Sequence, residues 1–252
     1  MILSGNIAVI CDKIHFSYTK NPFIEDLSIE LPFSQITGLF GPNGAGKTTL
    51  LNLIYNKLKP GKGEITIFNK KYRLNSESII KREIGYMPQS PSLFSHLTLE
   101  ENIRLAAYLY KISPKLSVEK TEKLIDLFNL QNVSKKLFKE LSGGQKRISN
   151  FIAAIIHKPK LLLLDEPYEG LDIVNQEKVN TIINDFVRNG SAVFVSSHII
   201  EPLEKSCYRY LIMADGKIIK SLDSMEFTQM ETGLTDIIKK EINLNAIQAF
   251  DW

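Results

Sequence analysis

Gly41-Pro42-Asn43-Gly44-Ala45-Gly46-Lys47-Thr48-Thr49 combines the flexible backbone, cation and hydroxyl groups that a chain of phosphates requires. The glycines at 41, 44 and 46 let the backbone curl until successive N–H groups point inward, and the helix that follows adds about half a positive charge there. Lys47 is placed to reach the terminal phosphates as a point charge, and Thr48 to offer its hydroxyl to Mg²⁺. A plain glycine turn is the competing reading. The context weighs against it, because Ile36, Leu39 and Phe40 end a buried strand before the loop and Leu50, Leu51, Leu53 and Ile54 form a helix face after it.

Three further groups can serve the same chemistry. Asp165 and Glu166 close the apolar run Leu161–Leu164, at a strand's carboxyl end where open α/β sheets bind ligands. Asp165 is placed to hold Mg²⁺ with Thr48, and Glu166 to polarise a water against the terminal phosphate. His198 ends another apolar strand, Ala192–Val195 with Ser196-Ser197, in the equivalent position. Leu141-Ser142-Gly143-Gly144-Gln145 opens a helix with Ser142 as N-cap and Gln145 three residues on. That segment alone supports two readings equally, a glycine-rich helix start or a second anion site.

The elements that must position these groups follow from periodicity. Ile7 to Leu31 reads as two strands around a turn at Asn21-Pro22, with Tyr18 in the turn region, either packing or offering a flat face to a base. Glu64–Phe68 and Ile84–Met87 are short strands, and Pro88-Gln89-Ser90-Pro91 breaks the second. Thr98 and Glu101 make a capping box, with Ile103, Ala106, Ala107 and Tyr110 on one helical face. The chain then reads as helical to Lys139, with Leu124, Ile125, Leu127 and Phe128 as a second amphipathic stretch. An all-helical lobe is thus inserted in an α/β domain. Ile148, Phe151, Ile152, Ile155 and Ile156 form the inner face of the helix that Pro159 stops, and Asp172 starts one with Val179, Ile182, Ile183 and Phe186 inward. Tyr210–Met213 and Lys217–Ile219 form a hairpin through Asp215-Gly216, and the tail from Met225 reads as helical with an apolar end, Ala246 to Trp252, of no assigned role.

Composition narrows the class. The chain is long enough for one large α/β domain or two small lobes, and Cys11 and Cys207 fit neither a disulfide framework nor a metal cluster, which points to buried thiols in a reducing compartment. Met1–Val9 lacks the features of a secretory signal, and the most apolar region, Phe151–Leu164, is interrupted by His157, Lys158, Pro159 and Lys160, too soon to cross a bilayer. A net charge of +3, from 31 basic and 28 acidic residues, is too mild and too mixed for a nucleic-acid stripe, so no polynucleotide partner is expected.

In their order along the chain these segments resemble the ATP-binding subunit of an ABC transporter over nearly the whole length. Tyr18 stands at the adenine-stacking position, Gly41 to Thr49 match the Walker A loop and Gln89 the Q-loop glutamine. Leu141 to Gln145 match the signature, Leu161 to Asp165 with Glu166 the Walker B run, Gly170-Leu171-Asp172 the D-loop and His198 the switch histidine. Two positions depart from the pattern without touching the chemistry, Glu169 in place of a small residue and Tyr208 in place of a frequent acidic one.

The resemblance implies an α/β P-loop NTPase with a mixed sheet core, an N-terminal antiparallel β-subdomain and an inserted α-helical subdomain. The single domain spans 1–252, with core and β-subdomain at 1–89 and 141–224, a helical lobe at 90–140 and a helical tail at 225–252. It implies ATP and Mg²⁺ as cofactors. Tyr18, Gly41, Asn43, Gly44, Ala45, Gly46, Lys47, Thr48, Thr49 and Gln89 would surround the nucleotide, and Thr48, Gln89 and Asp165 the metal. Glu166 would act as general base, with His198 and Lys47 also catalytic. A second, head-to-tail copy would cap the ATP with Ser142, Gly143, Gly144 and Gln145, and a separate transmembrane permease would receive the motion from the helical lobe. The subunit would then lie on the cytoplasmic face of the membrane, and the short tail after His198 points to export. Two other expectations compete, an ABC-type ATPase acting on nucleic acid or ribosomes and a nucleotide-dependent binding switch without fast turnover.

Overall fold

The structure is a computed structural model that describes residues 6–71, 80–198, 201–204, 206–229 and 233–248. Strands β1 (Ile7–Phe16), β2 (Ile24–Pro32), β4 (Lys62–Ile67) and β5 (Lys70–Lys71) form an antiparallel sheet in the order β2-β1-β4-β5. Strands β3 (Ile36–Phe40), β6 (Ile84–Met87), β7 (Leu161–Asp165), β8 (Ala192–Ser197), β9 (Arg209–Ala214) and β10 (Lys217–Asp223) form a second sheet, ordered β10-β9-β3-β8-β7-β6. It is parallel from β9 to β6, with β10 antiparallel at one edge.

The parallel strands are apolar on both faces, and the two faces feed two cores. Leu162, Leu164, Val193 and Val195 pack into one, while Leu161, Leu163, Ala192 and Phe194 pack into the other. Each fully buried leucine contributes about 1.5–3 kcal/mol. The second core also takes Leu50, Leu51, Leu53 and Ile54 of α1 (Lys47–Ile54), which wedges that helix between the two sheets. The first takes the inner faces of α2 (Leu99–Leu109), α3 (Pro114–Leu127), α4 (Gly143–Ile155) and α5 (Ile173–Arg188).

Both capping boxes expected from sequence are present, at Thr98 with Glu101 and at Ser142 with Gln145. The continuous helix to Lys139 is corrected. α3 ends at Leu127 and two 3₁₀ turns, Gln131–Val133 and Phe138–Glu140, follow it. Asn129 takes a left-handed conformation at φ 55°, and the Leu130 N–H returns to the Ile125 carbonyl at 2.9 Å, a closure that terminates a helix. Leu127 is 44% exposed, so it lies outside the apolar face assigned to it. Tyr110 is the C-cap of α2 and turns inward, where it stacks on His157 with ring centroids 3.5 Å apart. Burial holds that imidazole down at about 4, so it is neutral in the folded chain.

Short helices α6 (Glu201–Glu204) and α7 (Ser224–Thr228) precede α8 (Leu234–Gln248), whose Leu234 and Ile237 are buried in the first core. Of the apolar tail end assigned no role, residues 249–252 lie outside the described ones. Both cysteines are buried, and burial pushes the Cys11 thiol up to about 12.

Candidate functional site

Four parallel strands deliver their carboxyl ends to one place. β3 runs into the glycine loop, β6 toward Gln89, β7 into Asp165-Glu166 and β8 into His198. Between them lies a cavity of about 200 Å³ lined by Phe23, residues 42–49, Gln89 and Glu166. Gly46 caps α1 at φ 107°, a conformation that favours glycine, and no side chain caps this helix. Its first N–H groups therefore lack a side-chain partner and face the cavity, the arrangement that binds anions.

Lys47 is buried, and its Nζ donates to the carbonyls of Gly41 at 2.8 Å and Pro42 at 3.2 Å. It also lies 3.5 Å from Glu166 Oε1. The other Glu166 oxygen, Oε2, meets His198 Nδ1 at 2.8 Å and accepts the His198 backbone N–H at 3.1 Å. Glu166 thus joins the cation of the loop to the histidine at the end of β8. The residue is buried with a left-handed backbone, φ 52°, which costs about 1–2 kcal/mol outside glycine. Its N–H is held in return by the Ser196 carbonyl at 3.1 Å and hydroxyl at 3.2 Å.

Asp165 is fully buried beside it, and burial raises its carboxyl above the usual range, opposed by hydrogen bonds from the Ser196 and Thr48 hydroxyls. Ser196 Oγ donates to Asp165 Oδ1 at 2.5 Å. Asp165 Oδ2 is buried without a hydrogen-bond partner among the described residues. That orphaned oxygen, on a carboxylate that also accepts from the Thr48 hydroxyl at the mouth of a phosphate loop, fits a hard divalent cation such as Mg²⁺. Among the described residues no group of three His, Cys, Asp or Glu converges on one point, so phosphate oxygens would have to complete such a shell.

Tyr18 is 60% exposed at the rim, with its hydroxyl 3.0 Å from Thr49 Oγ1 and its ring edge-on to Phe16 and Phe23. The signature residues lie elsewhere. Ser142, Gly144 and Gln145 line a separate hollow of about 690 Å³ with Gly170, Leu171, Asp172 and Lys178. The structure therefore gathers residues 42–49, Gln89, Asp165, Glu166 and His198, with Tyr18 at the edge, and leaves Ser142, Gly143, Gly144 and Gln145 outside that cavity.

Sequence reasoning missed Phe23, Ser196 and the β9–β10 turn. The turn holds the loop through a hydrogen bond from Gly216 N to Ala45 O at 2.9 Å. Only the apolar run before Ser196 hinted at its place, and nothing local marks the other two.

Comparison with known proteins identifies the family and the fold. A family model described as ABC transporter matches residues 24–169. The chain is 34% identical over 205 residues to the lipopolysaccharide export system ATP-binding protein LptB of Haemophilus influenzae, covering 81% of this chain and 85% of that protein. A solved structure of an ATP-binding subunit of an ABC transporter superposes with a TM-score of 0.85 at 26% identity, covering 93% of this chain and 99% of that one. The dimeric post-hydrolysis ATP-binding cassette MJ0796, bound to ADP and Pi, has a TM-score of 0.78 at 23% identity, over 85% and 98% of the two chains, and shares the fold.

Proposed function

The chain belongs to the ABC transporter family as an ABC-type ATPase, and from that premise we propose that it powers a separate transmembrane permease by hydrolysing ATP between two head-to-tail copies. The observation that carries this reading is the position of Glu166, whose two carboxylate oxygens engage Lys47 and His198 at the wall of the phosphate cavity. A triphosphate entering the loop meets the free N–H groups of α1 and draws the Lys47 ammonium from its carbonyl partners toward the terminal phosphates. Glu166, released from Lys47, accepts a proton from the attacking water, and His198 holds that carboxylate and the water in line. Thr48, Asp165 and Gln89 would hold Mg²⁺, which when bound neutralises charge on the phosphates. Tyr18 would stack on the base.

The second helix start supports the dimer. Ser142, Gly143 and Gly144 open α4 away from the cavity of their own chain, so a nucleotide reaches them only on a partner copy, and twofold symmetry makes two such sites. The dimeric MJ0796 cassette is a precedent for that assembly in the same fold. Membrane association would come from the permease, since no helix among the described residues is long and apolar enough to cross a bilayer. The export system of the relative LptB supports outward transport.

Glu166→Gln tests the reading. Turnover should fall at least about 100-fold while ATP stays bound and the mass in solution doubles. Hydrolysis that survives the substitution removes Glu166 from the base role.

A further inference from the structure

Arg147 stands outside the motif positions, yet its guanidinium joins the segments of two of them. Nη1 donates to the Gln89 carbonyl at 2.7 Å, and Nη2 pairs with the Glu169 carboxylate at 2.7 Å. The side chain is 12% exposed, although the residue lies one turn from the exposed start of α4. The next turn of α4 repeats the grip. Asn150 Oδ1 accepts from Ser92 N at 3.0 Å and from Ser92 Oγ at 3.2 Å, so the segment leaving β6 is tied to α4 at two successive turns. Opposite, a Cβ on Gly144 would lie 3.1 Å from the Gly170 carbonyl, so the first turn of α4 packs closely on the Glu169–Gly170 loop.

The sequence reading sets Glu169 aside as a departure remote from the chemistry. Its pairing with Arg147 connects it instead to the residue that lines the nucleotide cavity. One planar fork satisfies both acceptors, one of them charged, in a geometry a lysine ammonium cannot reproduce.

We propose that Arg147 is a positioning residue that locks the Gln89 segment and the Glu169–Gly170 loop to the start of α4, so that the nucleotide cavity and the Ser142–Gln145 hollow move as one body. The proposal rests on the reading of the cavity as the ATP site. Arg147 touches no nucleotide, and Lys47 and the loop backbone hold the phosphates without it. Its loss therefore frees Gln89 and weakens the chemical step more than binding.

The full-length chain, Arg147→Ala, Arg147→Lys and Glu169→Gln are compared by steady-state hydrolysis with Mg²⁺ and by the Kd of a fluorescent ATP analogue. Arg147→Ala is expected to lower kcat about 10- to 100-fold, the loss of a charge-assisted hydrogen-bond pair, with the analogue Kd within about threefold of the parent. Arg147→Lys should recover little of it, and Glu169→Gln should lower kcat about threefold. Glu169 is half-exposed, so its variant folds even where Arg147→Ala does not, and an unchanged kcat in Glu169→Gln overturns the proposal. So does Arg147→Ala with kcat within twofold of the parent, or a lysine that restores it fully. A failure of the underlying reading shows separately, as a Glu166→Gln chain that still hydrolyses ATP.

Discussion

Two helices of this protein begin among glycines, and they are finished differently. α1 starts at Gly46 without a side-chain cap, inside a cavity of about 200 Å³ walled by Lys47 and Glu166. α4 starts at Ser142, whose Oγ accepts the Gln145 N–H at 3.3 Å while Gln145 Oε1 accepts the Ser142 N–H at 3.0 Å. Its hollow is larger, about 690 Å³, and Ser142 and Gly143 are exposed. The first helix leaves its N–H groups to a ligand, and the second satisfies part of its own. A buried cation and a paired carboxylate belong to the first start alone, and the proposed function places the chemistry there. The second start is partly satisfied by its own cap, in keeping with the proposed role of closing over a nucleotide held by a partner copy.

That contrast can be broken most directly at Lys47. Lys47→Ala should weaken Mg-ATP binding to the isolated chain by about 100-fold or more, read by calorimetry, because it removes a charge-assisted contact from a buried ammonium. Affinity within fivefold of the parent would show that backbone N–H groups suffice and that the two starts differ less than their surroundings suggest.

A second effect concerns the cation. Burial holds the Asp165 carboxyl above its usual range, so protons compete with Mg²⁺ for it at a higher pH than at an exposed aspartate. The Mg²⁺ concentration for half-maximal hydrolysis should therefore rise as pH falls through that raised value. Asp165→Asn should increase the requirement about tenfold and flatten its pH dependence. A variant that keeps the parental pH profile would remove Asp165 from the metal. At the α4 start neither Ser142 nor Gln145 titrates, so substitutions there should leave the profile unchanged.

Tyr18→Ala sharpens the comparison at the rim. Stacking is worth about 0.5–1.5 kcal/mol, so ATP affinity should fall about two- to tenfold, and no change would return Tyr18 to plain packing against Phe16 and Phe23. The smallest effect is expected at Ser142. Losing that cap should cost about 1 kcal/mol and lower Tm by about 2–4 °C, with ATP binding to the isolated chain unaltered. Weaker binding in the monomer would mean that the two helix starts share one site after all.

The reach of the sequence can be followed residue by residue. Leu161–Leu164 was legible as an interior strand because both faces are apolar, and the boxes at Thr98 and Ser142 because a cap binds three residues ahead. The phosphate loop was legible because left-handed backbone at Gly44 and Gly46 favours glycine. The end of α3 was not, since Asn129 gives no obligatory stop, and four apolar residues in five left open which of them, Leu127, faces water. Arg147 between Gln89 and Glu169, Ser196 on Asp165 and Gly216 on Ala45 had no signature, because nothing in their own neighbourhoods names a distant partner.

By itself the sequence determined the local stereochemistry: where a helix starts, which strands are buried on both faces, and which loop can present successive N–H groups to phosphate. Those features depend on φ angles and on hydrogen bonds spanning three or four residues, and the chain carries them in adjacent letters. Only the tertiary structure decided that Glu166 links Lys47 to His198 and that Ser142 lies outside that cavity. Such placements arise when sheet and helices pack and remote segments meet, and side-chain periodicity reports which face is buried, not what it is buried against.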